Sequence, residues 1–493
     1  MDRNGIERRI GAPSFGRLLG DWRPPDGRGL AGALSERIRL LVLDGRLPLQ
    51  TRLPAERELA VALAVSRTTV ATAYDTLRQV GALHSRRGAG SWTRLPEGPS
   101  HDASTSPFSP HGDSTLHDLA HAALPAPSDA MRRATAAAVQ DLDAHLAGHG
   151  YDLLGQWALR AAVAERYTAR GLPTRPDQVL VTAGAVHAIT LALTLLAGPG
   201  DRVLVEHPTY PNALGALAGR GARAVPVPMA PGPGGSSRWD LELLTAAVRD
   251  AAPRLAYVIP DFQNPTGALL ADADRARLVE LSRRTGTTLL VDETLAELPL
   301  DGQVVTPLAA HGAADSPLVL SVGSASKTFW GGLRVGWIRT SAPMVRRLAA
   351  TRASVDLGGP VLEQLVTARL MAETTAVAEA RRPELAAARD HLLGRLARTF
   401  PHWSPSRPGG GLSLWVDLGR GVSSRLTAAA RRHDVQLAAG PRFGLDGAFE
   451  HYLRLPFTLR QDRMVEALDR LAAAWGDLDR LGLGAETEPS AVA

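Results

Sequence analysis

The feature that most limits the fold of this chain is a regular alternation of short apolar strands with helical stretches between residues 170 and 343. The predicted strands lie at residues 201–206, 255–260, 287–292, 318–322 and 335–340. Strands that alternate with helices build parallel sheets, because each crossover helix returns the chain to the same edge of the sheet. The pattern therefore predicts an α/β domain with a large, mostly parallel sheet.

Two further regions flank this domain. From residue 344 the chain changes to long helices rich in Ala, Arg and Leu, followed by predicted strands at 412–417 and 452–456. This indicates a smaller α+β domain, which the segment before residue 170 would complete. Residues 95–115 are rich in Pro, Ser, His, Asp and Gly and lack periodicity, which is typical of a linker. The predicted boundaries are 27–94 for an N-terminal domain, 95–115 for the linker and 116–478 for the body.

The N-terminal domain shows the pattern of three helices and a two-stranded hairpin. The apolar spacing predicts helices at 34–44, 54–63 and 67–79 and strands at 82–85 and 91–94. Ser66 is a suitable N-cap for the third helix. Arg86, Arg87 and Gly88 lie at the tip between the two strands. This order of elements predicts a winged helix-turn-helix.

The positive charge of the chain is concentrated in this domain. Residues 1–95 contain 16 Arg against 9 Asp and Glu, whereas the remainder contains 39 Lys and Arg against 41 Asp and Glu. A basic head on a nearly neutral body favours double-stranded DNA as a partner, since clustered arginines neutralise phosphates. The alternative, a winged helix that binds another protein, does not explain the basic excess.

One lysine occurs among the 493 residues, Lys327, and the remaining cationic side chains are arginines. Arginine can replace lysine in a surface ion pair or a phosphate contact, but it stays protonated in proteins. Lysine can lose its proton and form an imine with an aldehyde. The retained lysine therefore predicts amine chemistry at residue 327.

Composition excludes several classes of protein. The chain has no cysteine, which excludes disulfides, thiolate metal sites and cysteine nucleophiles and is typical of a reducing compartment. Residues 1–20 are interrupted by arginines and lack the apolar core of a secretory signal. The longest apolar run, near residues 188–197, is too short to span a bilayer. We therefore expect a cytoplasmic protein with no membrane partner and no metal site.

Four segments offer chemical groups that complement one another. Residues 182–186 leave a strand and enter an apolar helix, where free backbone amides bind anions. The segment 260–267 places the amide side chain of Asn264 before a proline, and Asp292 ends a strand, where α/β sheets bind ligands. Arg334 follows the lone lysine by seven residues and suits a bidentate phosphate contact.

These motifs, in this order, resemble the fold-type-I pyridoxal phosphate (PLP) enzymes of the aspartate aminotransferase family. Joined behind a head with Leu-Pro-Ala-Glu-Arg-Glu-Leu at 53–59 and Ser-Arg-Thr-Thr-Val at 66–70, the chain resembles the MocR/GabR class of GntR-type regulators. The resemblance covers residues 30–475. It implies a fold-type-I PLP-dependent transferase, with a large parallel-type sheet domain and a small α+β domain, behind an N-terminal winged helix-turn-helix.

The resemblance also implies roles for individual residues of the body. Lys327 would hold PLP as an internal aldimine, Asp292 would pair with the pyridine nitrogen and Asn264 would hydrogen-bond the ring hydroxyl. The remaining implied ligands are Gly184, Ala185, Val186, Ser324 and Arg334 for the phosphate, Tyr210 for the ring face, Tyr151 for the partner subunit's phosphate and Arg454 for an amino-acid carboxylate. Core packing of the two tyrosines and a structural ion pair of Arg454 remain open as alternatives.

For the head, the resemblance implies DNA contacts around the third helix and the wing. The expected contact residues are Arg57, Ser66, Arg67, Thr68, Thr69, Arg86, Arg87 and Gly88. The third helix would enter the major groove, and the arginines would contact phosphates or the minor groove.

One position departs from the family pattern. A tyrosine usually follows the pyridine aspartate by two or three residues and donates to the ring oxygen, whereas this chain has Thr294 and Leu295 there. A hydrogen bond to a charged group contributes about 1.5–3 kcal/mol. Its loss favours ligand sensing over fast turnover.

The sequence therefore predicts a homodimeric transcription regulator that senses PLP, an amine or an amino acid through aldimine exchange at Lys327, with Asp292 as the second catalytic residue. Each head could lie over the body of the neighbouring subunit, because the linker is long enough. The alternative is an active PLP-dependent aminotransferase that keeps the head as an ancillary module.

Overall fold

The computed structural model describes residues 9–24, 27–43, 46–47, 51–79, 81–86, 90–94, 116–232 and 235–480. The described residues form two compact units. The smaller unit comprises the chain up to residue 120, residues 417–454 and the chain from residue 465, and the larger unit comprises residues 121–416 and 455–464. The predicted linker, Arg87, Gly88 and the side chain of Arg86 lie outside the described part.

In the smaller unit, the N-terminal region forms a winged helix-turn-helix. Its elements are α1 Ala12–Leu19, α2 Leu30–Leu43, α3 Glu56–Ala62, α4 Arg67–Gln79, β1 Leu83–Arg86 and β2 Gly90–Thr93. Buried side chains of all four helices, among them Phe15, Ile38, Leu59 and Tyr74, share one core. The strands β1 and β2 pair antiparallel. Helix α1 was not predicted, and it extends the head beyond the expected start at residue 27. The next strand along the chain is β3, His117–Leu119.

The larger unit is built on one large sheet. The strands that follow β3 are β4 Val179–Thr182, β5 Arg202–His207, β6 Arg223–Pro228, β7 Ala230–Pro231, β8 Ser237–Arg238, β9 Leu255–Val258, β10 Thr288–Asp292, β11 Val319–Ser324, β12 Gly336–Arg339, β13 Ser404–Pro405 and β14 Ser413–Asp417. Seven of them pair in the order β4-β12-β11-β10-β9-β5-β6. Strand β12 runs antiparallel to both neighbours, and the other pairs are parallel. The predicted α/β fold is confirmed, with one antiparallel strand that the pattern did not indicate.

Helices cover both faces of this sheet. The helices of this unit are α5 Ser128–Leu146, α6 Trp157–Ala169, α7 Ala185–Leu196, α8 Pro211–Gly219, α9 Leu241–Ala251, α10 Asp272–Thr285, α11 Ala325–Thr328, α12 Ala342–Arg352, α13 Val361–Ala372 and α14 Thr374–Thr399. In β10, Leu289 and Val291 belong to one buried cluster and Leu290 to another, because successive strand side chains face opposite sides. Both faces of the sheet are therefore buried beneath helices, as a largely parallel sheet requires.

The smaller unit is completed by segments from the C-terminal part of the chain. They are α15 Ser423–Arg431, β15 Val435–Ala439, the first three residues of β16 Tyr452–Pro456 and the part of α16 Gln461–Arg480 that begins at residue 465. Strand β15 pairs parallel with β3 and antiparallel with β16. Within the described ranges, no helix combines the length and the apolar character that crossing a bilayer demands.

Candidate cofactor site and DNA-binding head

Several of the residues predicted to bind the cofactor lie at the carboxyl edge of the parallel strands. Ser324, at the end of β11, lies opposite Gly336 of β12, which in turn lies opposite Thr182 at the end of β4. Asp292 ends the neighbouring strand β10. The segments that follow these strands therefore bring the phosphate turn, Lys327 and Asp292 to one edge, where α/β sheets bind their ligands.

The turn from β4 into α7 is shaped for an anion. Gly184 has a φ of +85°, a left-handed conformation that favours glycine, and it immediately precedes Ala185 and Val186 in the first turn of α7. The first amides of a helix lack partners within the helix and lie at the positive end of its dipole. A Cβ added to Gly336 would lie 2.6 Å from the carbonyl carbon of Gly184. Residue 336 must therefore be a glycine for this turn to pack against β12.

Arg334 brings a guanidinium group to the same turn. Its Nη2 atom donates to the carbonyl oxygen of Ala183 at 3.2 Å, and its side chain is exposed. A Cβ added to Gly184 would lie 3.1 Å from that nitrogen. The amides and the arginine together form an anion cradle.

Lys327 lies on the short helix α11, directly after β11. Ser324 caps this helix, because its Oγ accepts a hydrogen bond from the Ser326 backbone N at 3.2 Å. Lys327 is half-buried, and its Nζ donates to the carbonyl oxygen of Ala122 at 2.6 Å. Arg381 joins the segment around Lys327 to the segment around Ala122, because its guanidinium donates to a backbone carbonyl oxygen in each. The amine is thus held at the carboxyl edge of the sheet.

Asp292 is buried, with 4% of its surface exposed, and both of its oxygens accept hydrogen bonds. Oδ2 accepts from the Tyr257 hydroxyl at 2.8 Å, and Oδ1 accepts from the Thr294 backbone N at 3.1 Å. The adjacent Glu293 instead accepts from the Tyr167 hydroxyl at 3.0 Å. Neither tyrosine belongs to a recognised motif, so sequence reasoning missed both.

The loop that carries Asn264 is fastened by a buried carboxylate. Glu206 accepts hydrogen bonds from Trp239 Nε1 at 2.8 Å, the Ile259 backbone N at 2.9 Å and Gln263 Nε2 at 2.9 Å. Gln263 directly precedes Asn264, which is half-buried. The position of Asn264 therefore depends on Glu206.

Glu206 is expected to make the stability of the protein depend on pH. Burial, partly opposed by the three hydrogen bonds, raises the pKa of Glu206 from 4.5 to about 7. The folded state then binds more protons than the unfolded state, so the free energy of unfolding should fall between these two pH values, by about 3 kcal/mol. Asp261 and Glu293 have pKa values that burial also raises, and they contribute with the same sign. Thermal unfolding midpoints across this range should fall with rising pH in the wild type and fall less in Glu206→Gln; equal slopes would contradict the assignment.

The two tyrosines predicted for the site have different surroundings. Tyr210 is half-buried at the start of α8, where its ring packs against a buried cluster and its hydroxyl accepts from Asn212 Nδ2 at 2.8 Å. Tyr151 is 66% exposed, and its ring centroid lies 5.5 Å from that of His149. Core packing within one chain therefore does not explain Tyr151.

Arg454 lies on β16, in the smaller unit. Its side chain is buried, donates to the carbonyl oxygen of Ala120 and lies over the ring of Phe443, 5.0 Å from the centroid. These contacts are with a backbone carbonyl and an aromatic ring. Its binding of an effector carboxylate remains a prediction.

The groups at the carboxyl edge match three of the four polar groups of PLP. The cradle of amides with Arg334 suits a phosphate, the amine of Lys327 suits an aldehyde, and the buried carboxylate of Asp292 suits a protonated ring nitrogen. Because a Cβ on Gly184 would approach Arg334 closely, the cradle depends on that glycine. The residues therefore fit the cofactor.

The predicted DNA-reading surface is at the N-terminal end of α4. Ser66 caps this helix, since its Oγ accepts from the Thr69 backbone N at 3.0 Å. Thr68, Arg57 and Arg67 are exposed. These side chains are thus accessible to a partner, as a recognition helix requires.

A cluster of half-buried ionic side chains joins the head to the rest of the smaller unit. Arg37 of α2 and Arg46 both form salt bridges with Glu450, the second at 3.3 Å, and Arg46 Nη2 donates to Ser424 Oγ at 3.0 Å. Glu450 also accepts from the Ser424 backbone N at 3.0 Å and Oγ at 2.8 Å. Burial opposes ionisation of Glu450, yet the two arginines hold its pKa below the ordinary value. The head is therefore fixed to residues 424–450 of its own chain.

Two family models match the sequence. The model for aminotransferase class I and II matches residues 119–471, and the model for bacterial regulatory proteins of the gntR family matches residues 30–92. The two matched segments coincide with the body and the head.

Known relatives include regulators. The probable rhizopine catabolism regulatory protein MocR of Rhizobium meliloti is 31% identical over 338 residues, which are 62% of this chain and 64% of the relative. The uncharacterized HTH-type transcriptional regulator YisV of Bacillus subtilis is 26% identical over 450 residues, 85% of this chain and 90% of the relative. The second similarity therefore extends across head and body.

A solved structure of an enzyme resembles the body. LysN, the alpha-aminoadipate aminotransferase of Thermus thermophilus complexed with N-(5'-phosphopyridoxyl)-L-leucine, superposes with a TM-score of 0.67 at 29% identity, covering 74% of this chain and 93% of that chain. The fold of the body is thus that of an aminotransferase.

Proposed function

Because this chain belongs to the class I and II aminotransferase family and carries a GntR-family DNA-binding domain, we propose that it is a PLP-binding transcription regulator of the MocR type. Membership of the aminotransferase family implies PLP as the cofactor. The observation that carries the proposal is the presence in one chain of two sites: Lys327, Asp292 and Arg334 at one sheet edge, and an exposed recognition helix.

Each residue of the cofactor site would have one task. PLP, when bound, supplies an aldehyde that captures amines and a ring that withdraws electrons. The amides of α7 and the guanidinium of Arg334 would hold the phosphate, and Asn264 would orient the ring through its hydroxyl. Asp292 would face the ring nitrogen, Tyr210 would cover one ring face, and Lys327 would supply the amine.

The effector would be a primary amine or an amino acid, which would compete with the amine of Lys327 for the aldehyde of PLP, or PLP itself, which would act by filling the cofactor site. Arg454 would recognise the carboxylate of an amino acid. An effector changes DNA binding only if it binds two arrangements of the protein with different affinities, and such couplings are typically about 1–3 kcal/mol.

Exposed apolar side chains support a homodimer. Those of the larger unit include Tyr151 at 66%, Trp157 at 61%, Val355 at 55% and Leu357 at 50%. A bridge between Asp152 and Gly358 brings the segments of Tyr151 and Leu357 together. Contiguous exposed apolar surface marks an interaction site, and Tyr151 would there face the partner subunit's cofactor.

The proposal predicts that DNA binding responds to the occupant of the cofactor site. Purified protein titrated with PLP should develop a visible absorption band, and a panel of amines and amino acids should change that band. The same compounds should change the affinity for a DNA fragment selected in vitro by about 5- to 150-fold, measured by fluorescence anisotropy. A DNA affinity that is identical with PLP absent, with PLP bound and with every amine would contradict the regulator.

An active aminotransferase is the second candidate, supported by the likeness to LysN and by the presence of Lys327, Asp292 and Arg454. Thr294 and Leu295 stand where the family has its ring-oxygen tyrosine, which argues for slow turnover. Sustained conversion of an amino donor and a 2-oxo acid by the full chain, unaffected by saturating DNA, would favour the enzyme.

A further inference from the structure

Two adjacent acidic residues each accept a hydrogen bond from a buried tyrosine. The Tyr257 hydroxyl donates to Asp292 Oδ2 at 2.8 Å, and the Tyr167 hydroxyl donates to Glu293 Oε2 at 3.0 Å. Tyr257 and Tyr167 belong to the clusters on opposite faces of the sheet. The two pairs are therefore similar in chemistry, but only the first involves the carboxylate at the cofactor site.

Tyr257 has little freedom to move. It is 1% exposed and lies on β9, where its register partner on β10 is Leu290. Leu290 precedes Asp292 by two residues, so the two side chains are on the same face of β10. Burial, followed by the charge of Asp292, raises the pKa of Tyr257 well above its ordinary value. The phenol is therefore held in its protonated form, which is the form that donates to Asp292.

The hydrogen bonds at Asp292 fix the plane of its carboxylate. Tyr257, on the neighbouring strand β9, donates to Oδ2. The Thr294 backbone N, in the turn that follows β10, donates to Oδ1 at 3.1 Å. A carboxylate held at one oxygen only can rotate about its terminal bond, whose torsional preferences are broad. Two donors on two oxygens remove that freedom.

We propose that Tyr257 is a positioning residue for the cofactor, which orients Asp292 toward the ring nitrogen of PLP. The inference rests on the proposed function, because it requires PLP at this site. The family's tyrosine would donate to the ring oxygen, where this chain has Thr294 and Leu295. In this chain a tyrosine would instead act at the ring nitrogen, through the aspartate.

The test compares Tyr257→Phe with Tyr167→Phe in the full chain. Each variant loses one buried hydroxyl that donates to a carboxylate, so each should lose similar thermal stability and remain folded. The dissociation constant for PLP, from absorbance titration, should rise about tenfold in Tyr257→Phe and stay near the wild-type value in Tyr167→Phe. The pH at which the visible band of bound PLP changes should move by about one unit in the first variant only.

A PLP analogue with carbon in place of the ring nitrogen separates positioning from a general effect on the fold. If Tyr257 acts through Asp292, Tyr257→Phe should weaken PLP but leave the affinity for the analogue unchanged. An equal loss for both compounds, or equal effects of the two phenylalanine variants, would overturn the proposal. If the wild type binds no PLP, the proposed function fails; if it binds PLP and Tyr257→Phe matches it, this inference alone fails.

Discussion

Replacement of Lys327 by Ala is expected to abolish covalent capture of PLP while the protein remains folded. Because this is the only lysine of the chain, borohydride reduction of the PLP-loaded wild type should place the label on one side chain. Lys327 lies on α11, directly after β11, and its amine donates to the carbonyl oxygen of Ala122. Peptide mapping of the reduced protein by mass spectrometry measures the result.

The matched control is Lys327→Arg, which keeps a positive charge at the position but cannot form an imine. Both variants should lose the label, whereas noncovalent PLP binding through the phosphate cradle should persist in both. A wild-type protein that is labelled on no side chain, or on its N-terminal amine alone, would show that Lys327 does not form the imine. If only the Lys327→Arg protein, and not Lys327→Ala, still bound PLP, the charge at residue 327 and not imine formation would hold the cofactor.

Combined replacement of Arg57 and Arg67 by Ala should weaken DNA binding by about 30-fold or more. Both side chains are exposed on the head, at α3 and at the start of α4. Each phosphate contact releases counterions, so the plot of log affinity against log salt should be steep for the wild type. It should become shallower by about two units for the double variant. Fluorescence anisotropy over a salt series measures both quantities.

Two arginines of α5 provide the matched control. The Arg132 side chain is 75% exposed, close to the 73% of Arg67, and Arg133 is 62% exposed. Arg132→Ala with Arg133→Ala removes the same charge from the body and should leave the slope unchanged. An equal loss in the two double variants would show that net charge, and not the recognition helix, determines DNA affinity. A wild-type affinity that does not depend on salt would reject the head as a DNA-binding domain.

Local signals were enough to predict most of the fold. The third helix of the head was predicted at 67–79 and one strand of the smaller unit at 452–456, and the structure has both at these bounds. In each case capping residues or short apolar runs carry the information. The lone lysine, the strand aspartate and the order of the motifs likewise predicted which residues share the carboxyl edge, because parallel strands end at the same edge.

Features that depend on distant partners were not predicted. The sequence of β12 indicates a strand but not its direction, because direction is set by the length and path of the connection from β11. Tyr257 looks like any residue of a buried strand, and its role follows from the register with β10. Arg37 and Glu450 are 413 positions apart, so no local pattern relates them. Helix α1 leaves a signal in the spacing of Phe15 and Leu19, four residues apart, so a local pattern was present there.

The ionic cluster of Arg37, Arg46 and Glu450 changes what the segment 95–115 can contribute. A free tether of about 20 residues averages roughly 25 Å between its ends. A head that is bound at Glu450 cannot move over that distance, because the salt bridges set its position. In a homodimer, the separation of the two recognition helices sets the spacing of the DNA half-sites. Changes in the length of the segment 95–115 would then leave the operator spacing unaltered, whereas loss of the salt bridges at Glu450 would change it.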